Sequence, residues 1–267
     1  MSQTVRQTNA SGVVKTSSTG IIKNWDHACV FVTSSGQSNC SGFGDSALSV
    51  PCPNGYEIHT NNSVESTITD PVGQNAGSFW AANTGSLYPA LAQKFYELTG
   101  RKAIVLSLGV GSSGLHVDPY SAGIWKVSSH DLYDEAKGEI DGAISYLAGQ
   151  AYDFDYAIHI WFQGETDALA HVSQADYVTD FTAYKNQMFS DYTEWPNLKI
   201  FVAHIKNHDA YDAAMRAAAE AVAASSGGRV IIGSSNPGPY NELTEHYDQE
   251  ELDEVGENLA VSAVNNL

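Results

Sequence analysis

Basic residues are scarce in this chain: 13 Lys and Arg stand against 31 Asp and Glu, a formal net charge of −18 over 267 residues. No nucleic-acid partner is expected, because binding phosphates requires a basic patch that releases counterions. The acidity itself reads as a source of solubility. Cysteine is scarce too. Cys29, Cys40 and Cys52 lack the paired spacing of a structural zinc site, so no metal is expected, nor any other cofactor. Their odd number allows at most one intrachain disulfide, and Cys40 and Cys52 are near enough to pair or to stay as thiols. No run approaches the roughly 18 apolar residues of a conventional membrane span. Residues 1–15 are polar and lack the roughly 7–15-residue apolar core of a secretory signal. Location is therefore left open, with an extracellular site and a virion or surface structure both compatible.

What is present is an ordinary globular composition, 43% apolar, long enough for one sizeable α/β domain. Residues 1–25 are rich in Ser, Thr, Asn and Gln without helical period. They read as a polar N-terminal extension, an early edge strand or an arm that attaches the domain to a larger assembly. From residue 26 to 267 apolar runs alternate with amphipathic stretches. Strands are predicted at 28–33, 103–108, 156–162, 198–204 and 229–233, and helices at 87–99, 131–148, 173–192, 210–225 and 249–265. Continuous apolar strands alternating with helices imply an α/β fold, a three-layer α/β/α sandwich around a central, mainly parallel five-stranded sheet. Residues 41–85, rich in Gly, Asn, Ser and Pro, break the pattern and are expected as a long loop over the mouth of a site.

Four segments fall where strand ends converge, which is where open α/β sheets bind ligands. Gly36-Gln37-Ser38-Asn39 puts a serine just past the first strand. Gly109-Val110-Gly111-Ser112-Ser113-Gly114 follows the second, and a turn with so few side chains can aim backbone N–H groups inward. Trp161-Phe162-Gln163-Gly164-Glu165-Thr166-Asp167 follows the third. Three polar side chains there are costly to bury without partners, which favours a site over simple packing. Glu245-His246-Tyr247 precedes the last helix. Of nine histidines, His159 lies inside a strand and reads as core, His204 ends a strand and is a weaker candidate, and His246 returns to the strand ends.

These blocks, in this order, resemble the SGNH-hydrolase superfamily, in particular its sialate O-acetylesterase and acetylxylan-esterase-like branch. The correspondence covers residues 36–39, 110–113 and 161–167, and His246 with Gly256 in the closing helix. The resemblance implies an SGNH or flavodoxin-like fold and a serine esterase that removes O-acetyl groups from a carbohydrate, with no metal. It implies Ser38 as nucleophile, His246 as general base and then acid, and an oxyanion hole from the N–H groups of Ser38 and Gly111 with the Gln163 amide. Asn39, Glu165 and Asp167 would organise the loops. The chain departs from the pattern at one place: the usual Asp three residues before the histidine is Leu243. Glu242 is ranked first to hold the imidazole, a backbone carbonyl second and Glu245 third. That gap leaves two rivals open, a carbohydrate- or receptor-binding module without turnover and a lipase or thioesterase of the same superfamily. Phe79, Trp80, Tyr120 and Trp125 are candidates to stack on sugar rings.

Overall fold

The computed structural model describes residues 28–150, 152–207, 209–235 and 245–267, together with two short strands near the N-terminus. Those two, β1 (Gln7–Thr8) and β2 (Val14–Lys15), pair antiparallel with each other; the rest of the expected extension lies outside the described residues. The main sheet is built from β3 (Ala28–Gly36), β4 (Gly55–Ile58), β5 (Val64–Glu65), β6 (Lys102–Leu106), β7 (Asp153–Phe162), β8 (Lys199–Ala203) and β9 (Val230–Ser234). Its order is β5-β4-β6-β3-β7-β8-β9, parallel throughout except where β5 meets β4.

The expected α/β sandwich is found, with seven strands in place of five. The two additional ones come from the segment expected as a loop. Gly55-Tyr56-Glu57-Ile58 is short and carries a carboxylate, so its own pattern is not that of a strand. Pairing with β6 makes it one, and the Gly73 N–H donates to the buried Glu57 carboxylate at 2.7 Å. The helices are α1 (Ser38–Ser41), α2 (Tyr88–Thr99), α3 (Leu132–Gly149), α4 (Glu165–Leu169), α5 (Gln174–Asp191), α6 (Ala210–Ala224) and α7 (Gln249–Asn266). Five of them lie within a residue or so of the sequence expectation, because their boundaries carry chemical signals. Asp209 and Asp248 close capping boxes at α6 and α7, Ser173 caps α5 and Gly100 ends α2 in the left-handed region.

Both faces of the sheet are covered, which is why its strands read as unbroken apolar runs. Side chains alternate between faces. Phe31, Ile104, Trp161 and Ile200 pack with residues of α3, α5 and α6, while Val32, Val105, Ile160 and Phe201 pack with α2 and α7. Cys29, Cys40 and Cys52 are buried and form no disulfide among the described residues, and burial pushes Cys40 up to about 11. Among the described residues no helix is long and apolar enough to cross a membrane.

Candidate active site

Three strand ends are tied together at one level. Gly36 pairs with Phe162 of β7 and with Gly109 just past β6. The Val110 N–H donates to the Gly36 carbonyl (3.0 Å) and the Gln37 N–H to that of Phe162 (3.2 Å). A Cβ on Gly36 would run into the Phe162 carbonyl oxygen, so only glycine allows this approach. Parallel register thereby carries Ser38, Gly111 and Gln163, each one or two residues further on, to one rim.

Ser38 opens α1 and is nearly buried. His246 Nε2 lies 2.8 Å from its Oγ. The imidazole is stacked on Phe43, with ring centroids 4.2 Å apart and planes 13° from parallel. Burial, followed by the nearby Lys206 ammonium, lowers the His246 pKa below its usual value, which keeps the ring neutral and able to accept a proton. Among the described residues, neither the Ser38 nor the Gly111 N–H donates to another group. Gly111 also carries the Trp80 ring so closely that any Cβ there would collide with it.

Asn39 joins the nucleophile loop to the base. Its Nδ2 donates to Glu165 Oε1 (2.6 Å) and to the Glu245 carbonyl (3.1 Å), and its Oδ1 accepts from the Tyr247 N–H (3.0 Å). One side chain thus grips the main chain on both sides of His246. The Tyr247 hydroxyl donates onward to the His204 carbonyl at 2.9 Å. Glu165 is buried, and desolvation pushes its carboxyl up to about 8; among the described residues Oε2 has no hydrogen-bond partner.

A second network supports the rim. Asp167 accepts from the N–H groups of Leu115 (2.7 Å) and His116 (2.8 Å) and from Gln163 Nε2 (2.6 Å). The Gln163 amide nitrogen also approaches Ser113 O at 3.4 Å and Gln37 Oε1 at 3.5 Å, and its oxygen accepts from Tyr177 at 2.8 Å. Gln37 Oε1 accepts from the Thr166 N–H (3.0 Å), joining the first block to the third.

Ser38, Asn39, Gly111, Gln163, Glu165, Asp167 and His246 are therefore brought together. Glu242 lies outside the described residues. Glu245 is exposed and offers its peptide carbonyl to Asn39. His159 is core, between Thr33 and Tyr184, and His204 is buried. Two of the aromatics proposed to face sugar do not: Phe79 and Trp125 are buried in the core, and the Trp125 indole donates to Ser113 Oγ at 2.8 Å. Trp80 and Tyr120 are exposed. Sequence reasoning assigned no role to Gln37 or Tyr247, although both stand inside the quoted blocks, and Phe43 and Lys206 carry no sequence signal. Among the described residues, no group of three or more His, Cys, Asp or Glu side chains is arranged to hold a metal ion.

Residues 28–265 match the family profile described as carbohydrate esterase, sialic acid-specific acetylesterase. No curated protein matches the chain. Among solved structures, the fold is similar to that of a protein from Arabidopsis thaliana (18% identity, 90% of this chain and 99% of that one, TM-score 0.66). It is also similar to NanS (12%, 89% and 97%, TM-score 0.60) and to a carbohydrate acetylesterase from Xanthomonas citri (14%, 88% and 56%, TM-score 0.56).

Proposed function

The chain belongs to the carbohydrate esterase family of sialic acid-specific acetylesterases, and from that premise we propose that it removes O-acetyl groups from a carbohydrate through an acetyl-enzyme. The observation that carries the reading is the 2.8 Å contact between His246 Nε2 and Ser38 Oγ, beside two N–H groups left without acceptors among the described residues. Neutral His246 takes the Ser38 proton as Oγ attacks the acetyl carbonyl. The negative charge that develops on the carbonyl oxygen is met by the N–H groups of Ser38 and Gly111. The Gln163 amide lies in the same network, and it serves as the third donor by turning one N–H from its long contacts with Ser113 and Gln37. His246, now protonated, gives its proton to the departing sugar oxygen, which leaves as a hydroxyl, and the second half repeats the cycle with water. Glu242 is assigned to hold the other imidazole nitrogen, on its spacing in the sequence. Asn39, Glu165 and Asp167 act as positioning residues.

Hydrolysis of 4-nitrophenyl acetate and of an acetylated oligosaccharide by wild type and Ser38→Ala tests the assignment. A fall of roughly 10⁴-fold or more in kcat is expected for the variant. Equal rates would overturn Ser38 as nucleophile.

A further inference from the structure

The segment that carries the base is docked on the end of β8, and one buried ammonium joins the two. Past β8 the chain runs through His204, whose N–H donates to the Ser234 carbonyl at the end of β9 (2.9 Å), and on to Lys206. The Tyr247 hydroxyl donates to the His204 carbonyl at 2.9 Å. The Lys206 ammonium lies 5.1 Å from the centroid of the same Tyr247 ring and 3.1 Å from Glu251 Oε2. That oxygen also accepts from the Asp248 N–H at 2.8 Å, while Asp248 Oδ1 accepts from the Glu251 N–H at 3.0 Å. Lys206 therefore reaches both residues that follow His246: Tyr247 directly, and Asp248 through the capping box of α7. Both ions of the pair are withdrawn from water, Lys206 being 2% and Glu251 5% exposed.

We propose that Lys206 is a positioning residue for the catalytic base: its ammonium fixes residues 246–248 against the end of β8 and so holds the imidazole within reach of Ser38. The proposal rests on the esterase reading above and adds to it a residue that stands outside the four sequence blocks. The helix cap does not need this lysine, since a capping box closes with the two hydrogen bonds between Asp248 and Glu251. Stability does not need it either. Burying two ions costs about what their attraction returns, so apolar side chains of the same size would pack as well. What the pair adds is direction. An ammonium shared between one carboxylate oxygen and one ring face has a narrow range of arrangements, whereas apolar burial is non-directional. Direction matters here, because displacing a catalytic group by about 1 Å costs roughly 100-fold. The charge works in the same sense. Among the described residues, the ionisable groups around the imidazole are Ser38 of α1, Glu165 of α4 through Asn39, Glu245 and Asp248 of its own segment, Glu251 of α7, and His204 and Lys206 past β8. Burial keeps His204 neutral. Lys206 is the cation of this set, and it favours the neutral ring that takes the Ser38 proton.

The test is the double variant Lys206→Met, Glu251→Gln. It removes both charges together and leaves an amide oxygen to accept from the Asp248 N–H. Its Tm should stay within a few degrees of wild type, because no charge is stranded. On 4-nitrophenyl acetate at about pH 8.5, where the imidazole is neutral in both proteins, kcat should fall roughly tenfold to 100-fold with KM within about twofold. The acid limb of kcat/KM should move up, and further still in Lys206→Met alone, where the Glu251 carboxylate is left to favour the imidazolium. Wild-type kcat in the double variant, or a loss confined to KM, overturns the proposal; an unmoved limb overturns the part given to the charge. Glu251→Gln alone is the milder second variant, since it loosens the ion pair and keeps the acceptor. Its kcat should fall about threefold to tenfold at unchanged KM, and wild-type kcat there overturns the proposal as well. Turnover by the wild-type protein reports on the esterase reading itself. If that activity is absent, NMR titration of the His246 imidazole in wild type and in the folded double variant still decides: a higher pKa in the variant upholds the proposal and equal values overturn it.

Discussion

Ser38 sits on main chain that is bonded to both neighbouring strands, whereas His246 sits on a segment whose described anchors are side chains. On the nucleophile side the contacts are Gly36 to Phe162 and to Gly109, and Val110 to Gly36, all backbone. On the base side they are Asn39 to Glu245 and Tyr247, Phe43 to the imidazole, and Tyr247 to His204. A nucleophile fixed by sheet register inherits the stability of the core. A base held through side chains is sensitive to the loss of any one that grips it. The difference predicts that damage on the first side shows up as lost folding, and damage on the second as lost rate.

The sharpest way to break the comparison is Gly36→Ala. Its methyl group would meet backbone on a fully packed strand end, and a destabilisation of about 3 kcal/mol is expected in urea melts. A variant as stable as wild type would show that register is not what places Ser38. Next comes Asn39→Ala, which frees the main chain on both sides of His246. Displacement of a catalytic group by about 1 Å costs roughly 100-fold, so kcat should fall by that order with KM little changed. A KM effect alone would make Asn39 a substrate contact and not a positioning residue. Phe43→Ala is expected to be milder. Opening the imidazole to water weakens the burial that lowers its pKa, so the acid limb of kcat/KM, expected below about 6.5 in wild type, should move up toward that value. Activity at pH 7 should fall about threefold to tenfold, as one lost aromatic contact warrants. An unmoved acid limb would count against the stack.

The smallest effect concerns Glu165, whose Oε1 accepts from the Asn39 amide. Burial raises its carboxyl from 4.5 to about 8. The folded protein therefore keeps a proton that the unfolded chain releases between about pH 4.5 and 8, and this group lowers stability as pH rises across that window. Glu165→Gln retains an oxygen for Asn39 and removes the titration. Its Tm should fall less than that of wild type between pH 5 and 8.5, and parallel curves would contradict the buried neutral carboxyl.

The sheet was legible because both of its faces are buried: alternate residues such as Phe31 and Val32 serve opposite cores, and the strand reads as one apolar run. The helix ends were legible because capping is local chemistry, as at Ser173, Asp209 and Asp248. Strand β4 was not, since Glu57 sits in it and only its partner β6 makes it a strand. The aromatics divide in the same way. Nothing in their local sequence separates Trp80, which is exposed, from Trp125, which is core.

The sequence by itself determined which residue types reach the strand ends, because motif spacing and apolar period are one-dimensional properties. It named Ser38, Gly111, Gln163 and His246 together without contact information. Only the tertiary structure decided that Asn39 spans 208 residues to hold Tyr247, that Phe43 packs on the imidazole and that one Glu165 oxygen is left without a partner among the described residues. Those facts depend on which side chains meet across the fold, and on how much water is left when they do.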